Sequence, residues 1–205
     1  MRPSGFQNTN LLWLALVLVL SPATAICQKP NDDGLLINTV DYSAASWKEY
    51  KPSGAKYALA LPGLPREHVE MVDTAVGKIQ LHMSLLAVTY KEESVICVVS
   101  YSDFPVQITD SSAIRKTLDG ARDELLANKG RKIISETEIN LDAYPGREIK
   151  IEQGDLLCVS RILLVRERMF QVVVFASKGP KADDVVKFQE DVRQRILSSF
   201  KVFSE

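Results

Sequence analysis

Histidine and cysteine are scarce in this chain, two of the first and three of the second among 205 residues. Zinc and the later transition metals are usually held by groups of such residues, so few metal centres are within reach. Three cysteines also fall short of the disulfide framework of a small secreted scaffold. Charge of one sign is missing as well. Twenty-five basic residues stand against twenty-six acidic ones, a net charge of −1, whereas nucleic-acid binders are usually basic. The longest apolar run, residues 11–20 (LLWLALVLVL), has ten residues, about half of what a helix needs to cross a bilayer. Multi-span membrane architecture is excluded on that ground. No internal repeat, low-complexity tract or N-x-S/T sequon occurs. Neither the Gly-x-Ser-x-Gly elbow of hydrolases nor His-Glu-x-x-His is present. The ten glycines are scattered and form no phosphate-cradling loop after a strand.

The apolar run has its own meaning. It follows a short stretch with Arg2 and no acid, and it precedes Ala23-Thr24-Ala25, whose small residues suit signal peptidase. Residues 1–25 therefore read as a signal peptide, and the protein as exported, periplasmic or extracellular. Cleavage after Ala25 leaves 180 residues, and losing Arg2 takes the net charge to −2. Cys27 follows closely, but Thr24 and Ile26 stand where a lipid-attachment motif needs leucine and a small residue, so it reads as unmodified. Residues 26–45 are polar apart from Leu35-Leu36-Ile37 and read as a partly disordered leader. Residues 46–205 read as one domain, a size that buries roughly 70% of its extended surface without help from disulfides. Cys97 and Cys158 each lie inside an apolar strand-like run and read as small buried hydrophobes. The alternative is a Cys97–Cys158 bridge, if the two strands lie side by side.

Strand patterns occupy residues 47–50, 56–61, 67–74, 79–90 and 94–102, separated by Pro- and Gly-bearing turns. Ala75-Val76-Gly77 fits a three-residue hairpin loop. The period then changes. Ile114, Leu118, Ala121 and Leu125 recur at helical spacing, with Asp110 or Ser111 as cap and Gly130 beyond the end. Gly120 in the middle leaves this helix dependent on packing. Strand patterns return at 132–140, 146–152, 156–165 and 169–177. A second helix follows, with Pro180 in its first turn and Val185, Phe188, Val192 and Ile196 as its apolar stripe. Residues 200–203 suit a last short strand. Short turns between most strands predict a largely antiparallel sheet, with two helices packed on it.

Several segments carry a resemblance. They are Trp47-x-x-Tyr50, Leu61-Pro62-Gly63, the hairpin at Gly77, residues 98–105 (VVSYSDFP), Tyr144-Pro145-Gly146-Arg147-Glu148, and residues 168–172 (RMFQV) ahead of a helix ending in Ser199-Phe200. Together they resemble uncharacterised exported bacterial proteins of the PsbP and Mog1 group. The resemblance covers about residues 46–203. It implies an α+β fold, an α/β/α sandwich with a largely antiparallel sheet covered by two main helices. It also implies an accessory or binding role, since members with known roles are mostly of that kind. No binding residue of theirs can be matched here.

Candidate chemistry is thin. In the register set by a three-residue loop, Glu70 lies opposite His82, and His68 shares their face. A His68–Glu70–His82 zinc site is then conceivable, although the same residues suit the wet face of a half-buried hairpin. No catalytic residue and no cofactor is indicated. Asp183-Asp184 suits a helix start. Arg161, Arg166, Arg168, Arg193 and Arg195, near Lys181 and Lys187, are interleaved with acids, a pattern that serves solubility. An acidic partner or an anionic membrane surface is the alternative use of that patch, and no separate membrane signal is present. The sequence thus predicts a non-enzymatic accessory or binding protein, with another protein or a small ligand as its partner and no nucleic acid. A small hydrolase with an unrecognised site, or a carrier of a small apolar ligand, are the alternatives. The first would need a deep polar pocket, and the second a lined cavity.

Overall fold

The computed structural model describes residues 37–74, 77–127 and 129–203. The strands are β1 (Asn38–Asp41), β2 (Lys48–Tyr50), β3 (Tyr57–Leu61), β4 (Arg66–Thr74), β5 (Gly77–Tyr90), β6 (Glu93–Asp103), β7 (Arg131–Leu141), β8 (Tyr144–Gln153), β9 (Leu156–Val165), β10 (Arg168–Ser177) and β11 (Lys201–Val202). Helix α1 (Ser111–Ala127) separates β6 from β7, and α2 (Asp183–Ser199) separates β10 from β11.

Strands rank in the sheet by how continuously apolar they are. Both faces of β10 are buried along most of its length, and β6 and β9 are similar, so they lie at the centre. The alternating strands β4 and β7 lie at the edges. The main sheet runs β1-β5-β6-β10-β9-β8-β7, with β4 beside β1 on the same edge of β5. Every pair is antiparallel except β1 with β5, which is parallel. The β4–β6 meander and the β7–β10 meander meet where β10 pairs with β6. A smaller sheet, β11-β3-β2, stands apart.

Alternation sorts the core into two layers. Leu81, Leu85, Val98, Ile149, Ile162 and Val173 meet Leu118, Ala121 and Leu125 of α1. Leu86, Val88, Cys97, Leu163, Phe170 and Val172 meet the other side, where Phe188, Val192 and Ile196 of α2 lie with Tyr57, Leu59 and Leu61 of the small sheet. The α/β/α sandwich therefore forms as the sequence predicts, with the β11-β3-β2 sheet added to one outer layer. Asp110 caps α1 through Ala113 N–H, which donates to its Oδ2 at 2.8 Å. Helix α2 starts later than its proline suggests: Pro180 precedes it, and Ala182 is the N-cap.

One expectation needs correction. The leader does not run to residue 45. Asn38–Asp41 forms β1, and Tyr42 donates to Asp191 at 2.8 Å and packs on Phe188 of α2. Val40 fits against Gly63, where a Cβ would stand 2.4 Å from Val40 Cγ2. The strand is mostly exposed, so its composition carries no strand signal. The signal-peptide, leader and lipidation readings for residues 1–36 lie outside the described residues. Cys97 and Cys158 are small buried residues, as the sequence predicts, and the alternative bridge does not form. Cys97 on β6 and Cys158 on β9 are separated by β10 and belong to opposite core layers. Both are free thiols, pushed up to about 12 by burial.

Gly146 explains itself sterically. A Cβ there would stand 2.4 Å from the main-chain oxygen of Ile162 on β9. Because that neighbour is main chain in a paired strand, it has little room to move. Gly146→Ala is expected to destabilise the fold by about 2 kcal/mol, read as a lower urea midpoint with an unchanged slope.

Candidate functional site

Register decides which side chains meet on the α2 side of the sheet. Across β4, β5, β6 and β10 one row reads Glu67, Ser84, Val99, Val172. The next row reads Val69, His82, Tyr101, Phe170, and beyond it Asp103 is opposite Arg168. The small sheet covers the first row. The second row emerges from beneath it and ends on the exposed Val69 and Met71. We describe this open end as the shelf.

At its covered margin, three hydroxyls and a carboxylate form a chain. Tyr57 Oη lies 3.0 Å from Ser84 Oγ, which lies 3.1 Å from Tyr50 Oη. Tyr50 donates to Glu67 Oε1 at 2.6 Å. Burial raises the Tyr57 phenol far above its ordinary value. Tyr50 is pushed up to about 12, first by burial and then by its bond to Glu67. Both phenols therefore stay protonated, and with Ser84 and the accepting Glu67 they hold β2 and β3 on the main sheet.

On the open part, the His82 and Tyr101 rings stack in parallel, 4.5 Å apart and 3° from coplanar. The Arg168 guanidinium lies 4.4 Å from the Tyr101 centroid, a cation–π contact. It also forms a bidentate pair with Asp103, Nε to Oδ1 at 2.6 Å and Nη2 to Oδ2 at 2.7 Å. Its Nη1 donates to the Gly54 and Ala55 carbonyls, each at 3.0 Å, tying down the β2–β3 turn. Partial burial, and then the positive Arg168, hold the His82 pKa below its usual value. At neutral pH the shelf thus presents an uncharged imidazole beside Tyr101, with Nε2 3.1 Å from Gln80 Oε1. Rings, a locked guanidinium and flanking apolar side chains suit contact with another molecule's surface.

The histidines do not come together. Thr74 pairs directly with Gly77, so the turn is one residue shorter than Ala75-Val76-Gly77 implies. The register moves by one, and Glu70 pairs with Leu81 while His82 pairs with Val69. A one-residue shift moves a side chain to the other face. His68 and Glu70 remain neighbours, at 3.7 Å, on the α1 side, and His82 joins the shelf. Among the described residues no group of three His, Cys, Asp or Glu side chains is placed to hold a metal ion.

In the sequence, Tyr50, Tyr101, Asp103 and Phe170 stand out only as turn and strand markers, and Arg168 also as one member of a mixed basic patch. A usable signal was present in part. Tyr101 and Asp103 stand two apart at one strand end, as Arg168 and Phe170 do at another, so each pair shares a face. Ser84 and Tyr57 carried no such mark.

The cavities are shallow and charged. A depression of about 200 Å3 between α1 and the β7–β8 turn is open and bordered by Arg115, Glu138 and Arg147. Another of about 380 Å3 beside β2 is open and bordered by Lys48, Glu49 and Lys51. Among the described residues no helix is long and apolar enough to cross a membrane.

No family model matches this chain. No curated protein matches it either. Solved structures do. A cyanobacterial PsbP (CyanoP) from Synechocystis is similar at 12% identity, over 87% of this chain and 99% of that one, with a TM-score of 0.43. LpqN, involved in cell envelope biogenesis of Mycobacterium tuberculosis, is similar at 13% identity, over 80% and 89%, with a TM-score of 0.42. A Pseudomonas aeruginosa protein of unknown function is similar at 12% identity, over 72% and 92%, with a TM-score of 0.38.

Proposed function

We propose that this chain is an exported, non-enzymatic binding protein that holds its partner on the shelf formed by Val69, Met71, His82, Tyr101 and Arg168. The observation that carries the reading is the stack of His82, Tyr101 and Arg168, locked from behind by Asp103 and left open in front. Acidity supports it too. Burial is the leading cause that raises Tyr50, Tyr57, Tyr101, Cys97 and Cys158, and a hydrogen bond to Asp191 leads at Tyr42. These shifts run away from the reactive phenolate or thiolate that a covalent catalyst would need. The depressions beside α1 and β2 are open to solvent, which favours surface recognition over enclosure of a carried molecule.

The test is to purify the mature protein from its native host with whatever accompanies it. The wild type should retain a reproducible stoichiometric partner. Tyr101→Ala, still folded by circular dichroism, should lose it about tenfold or more, as expected for an aromatic anchor. Capture unchanged by Tyr101→Ala and Met71→Asp would remove the shelf from the account. Turnover abolished by changing one polar residue would remove the non-enzymatic reading itself.

A further inference from the structure

The two edges of the main sheet are treated differently. β7 carries a register break between Ile133 and Ser135, a feature that discourages pairing with a foreign strand. β4 carries charge at Arg66, Glu67, Glu70 and Asp73, but it runs nine residues in unbroken register with β5 and pairs with no other strand among the described residues. Six large hydrophobic side chains are markedly exposed among the described residues, and three of them, Leu64, Val69 and Met71, fall on or just before β4. An unbroken, unpaired edge with apolar side chains above it is a template for a second strand.

We propose that the occupant is a second copy of this chain, joined by antiparallel pairing of β4 with β4 about a two-fold axis at Val69. The register follows from symmetry and charge. Glu67, Val69, Met71 and Asp73 lie on the shelf face, and Arg66, His68, Glu70 and Val72 on the α1 face. An axis perpendicular to the sheet keeps each face continuous, so it must pass through one residue. At Glu70 it would set Glu70 against its own copy and Glu67 against Asp73, two kinds of like-charge contact. At His68 it would pair Arg66 with Glu70, but it would set Glu67 opposite Val69 and limit the ladder to residues 66–70, with Pro65, which has no N–H, at its end. At Met71 it would place Val69 opposite Asp73 and Val72 opposite Glu70. At Val69 the valines meet on the axis, and His68 of each copy stands opposite Glu70 of the other. Arg66 then lays its aliphatic stem beside Val72. This last register sets Glu67 opposite Met71, opposes no like charges, spans residues 66–72, and alone among the four pairs His68 with Glu70.

Pairing of this length buries less than a standard interface, so the dimer is weak, with a dissociation constant on the order of 10 μM. It brings the two shelves into one continuous face across the axis. The dimer shares Val69 and Met71 with the shelf, but it rests on the main-chain edge of β4 and not on Tyr101 or Arg168.

Sedimentation velocity of the mature chain across the micromolar range tests it. The wild type should shift from monomer to dimer with concentration. Val69→Lys, at an exposed position, should remain folded and monomeric throughout, because two ammonium groups would meet on the axis. His68→Lys should dimerise at least as tightly as the wild type, since each introduced amine faces the second copy's Glu70. Ile134→Lys, on the opposite edge, should leave association unchanged. A wild type that stays monomeric, or a Val69→Lys protein that dimerises like it, overturns the proposal. Weakening by His68→Lys overturns the register. Partner capture is read separately, on Tyr101→Ala, so failure of the shelf and failure of the dimer are distinguishable.

Discussion

Phe170→Ala should lower the unfolding free energy by about 4 kcal/mol, one of the largest losses expected from a single truncation in this fold. Phe170 is 1% exposed on the central strand β10, in the core layer beneath the small sheet. Its ring lies 6.1 Å from Tyr57, 6.2 Å from Tyr101 and 6.2 Å from Phe200, centroid to centroid. Those three neighbours belong to β3, β6 and the residue after α2, so they cannot all close on the space left by the ring. The cost therefore combines lost transfer free energy with an unfilled cavity. Urea unfolding followed by tryptophan fluorescence measures it. A loss under about 1.5 kcal/mol would mean that the site collapses freely, contrary to the packing described. Because Phe170 supports Tyr101 from the side, the variant should also bind the shelf's partner less well while still folded.

Arg147→Met should cost about 3 kcal/mol, for a different reason. Arg147 is 8% exposed. Its Nη1 donates to Glu136 of β7 at 2.7 Å, and its Nη2 donates to Asp119 of α1. The residue thus fastens α1 to the β7–β8 edge of the sheet. Methionine keeps much of the volume but leaves two carboxylates facing one another with Arg122 as the nearby cation, 3.6 Å from Asp119 and 3.5 Å from Glu136. Both carboxylates are partly exposed, which holds the cost near the lower end of the range for a broken buried pair. Arg147→Lys should recover part of the loss, because an ammonium keeps the charge but cannot serve both acids in one plane. Equal stability of Arg147→Met and the wild type would show that the pair contributes nothing.

How legible these features were differs by kind. The strands β5, β6, β9 and β10 announce themselves as apolar runs, because a strand buried on both faces has no polar face to show. Both helices announce themselves by spacing, and Leu118, Ala121, Leu125, Val185, Phe188, Val192 and Ile196 are buried as that spacing requires. β1 was not legible. Its residues are mostly exposed, and it is held by main-chain pairing with β5 and by Tyr42 against α2, neither of which leaves a pattern in composition. The Tyr57–Ser84–Tyr50–Glu67 chain was not legible because its members come from four strands in two sheets.

Sequence alone determined the class of the fold, the number and kind of its main elements and the apolar face of each helix. These follow from local periodicity, which every short window of chain displays for itself. Tertiary structure decided everything that depends on register and neighbourhood. One residue of turn length at Gly77 separated His82 from His68 and Glu70 and gave it to Tyr101. One intervening strand kept Cys97 from Cys158. The shortage of histidine and cysteine limited what chemistry could exist. The pleat of the sheet, which assigns each residue to one face or the other, determined which groups met, and it assembled the shelf from residues up to a hundred positions apart.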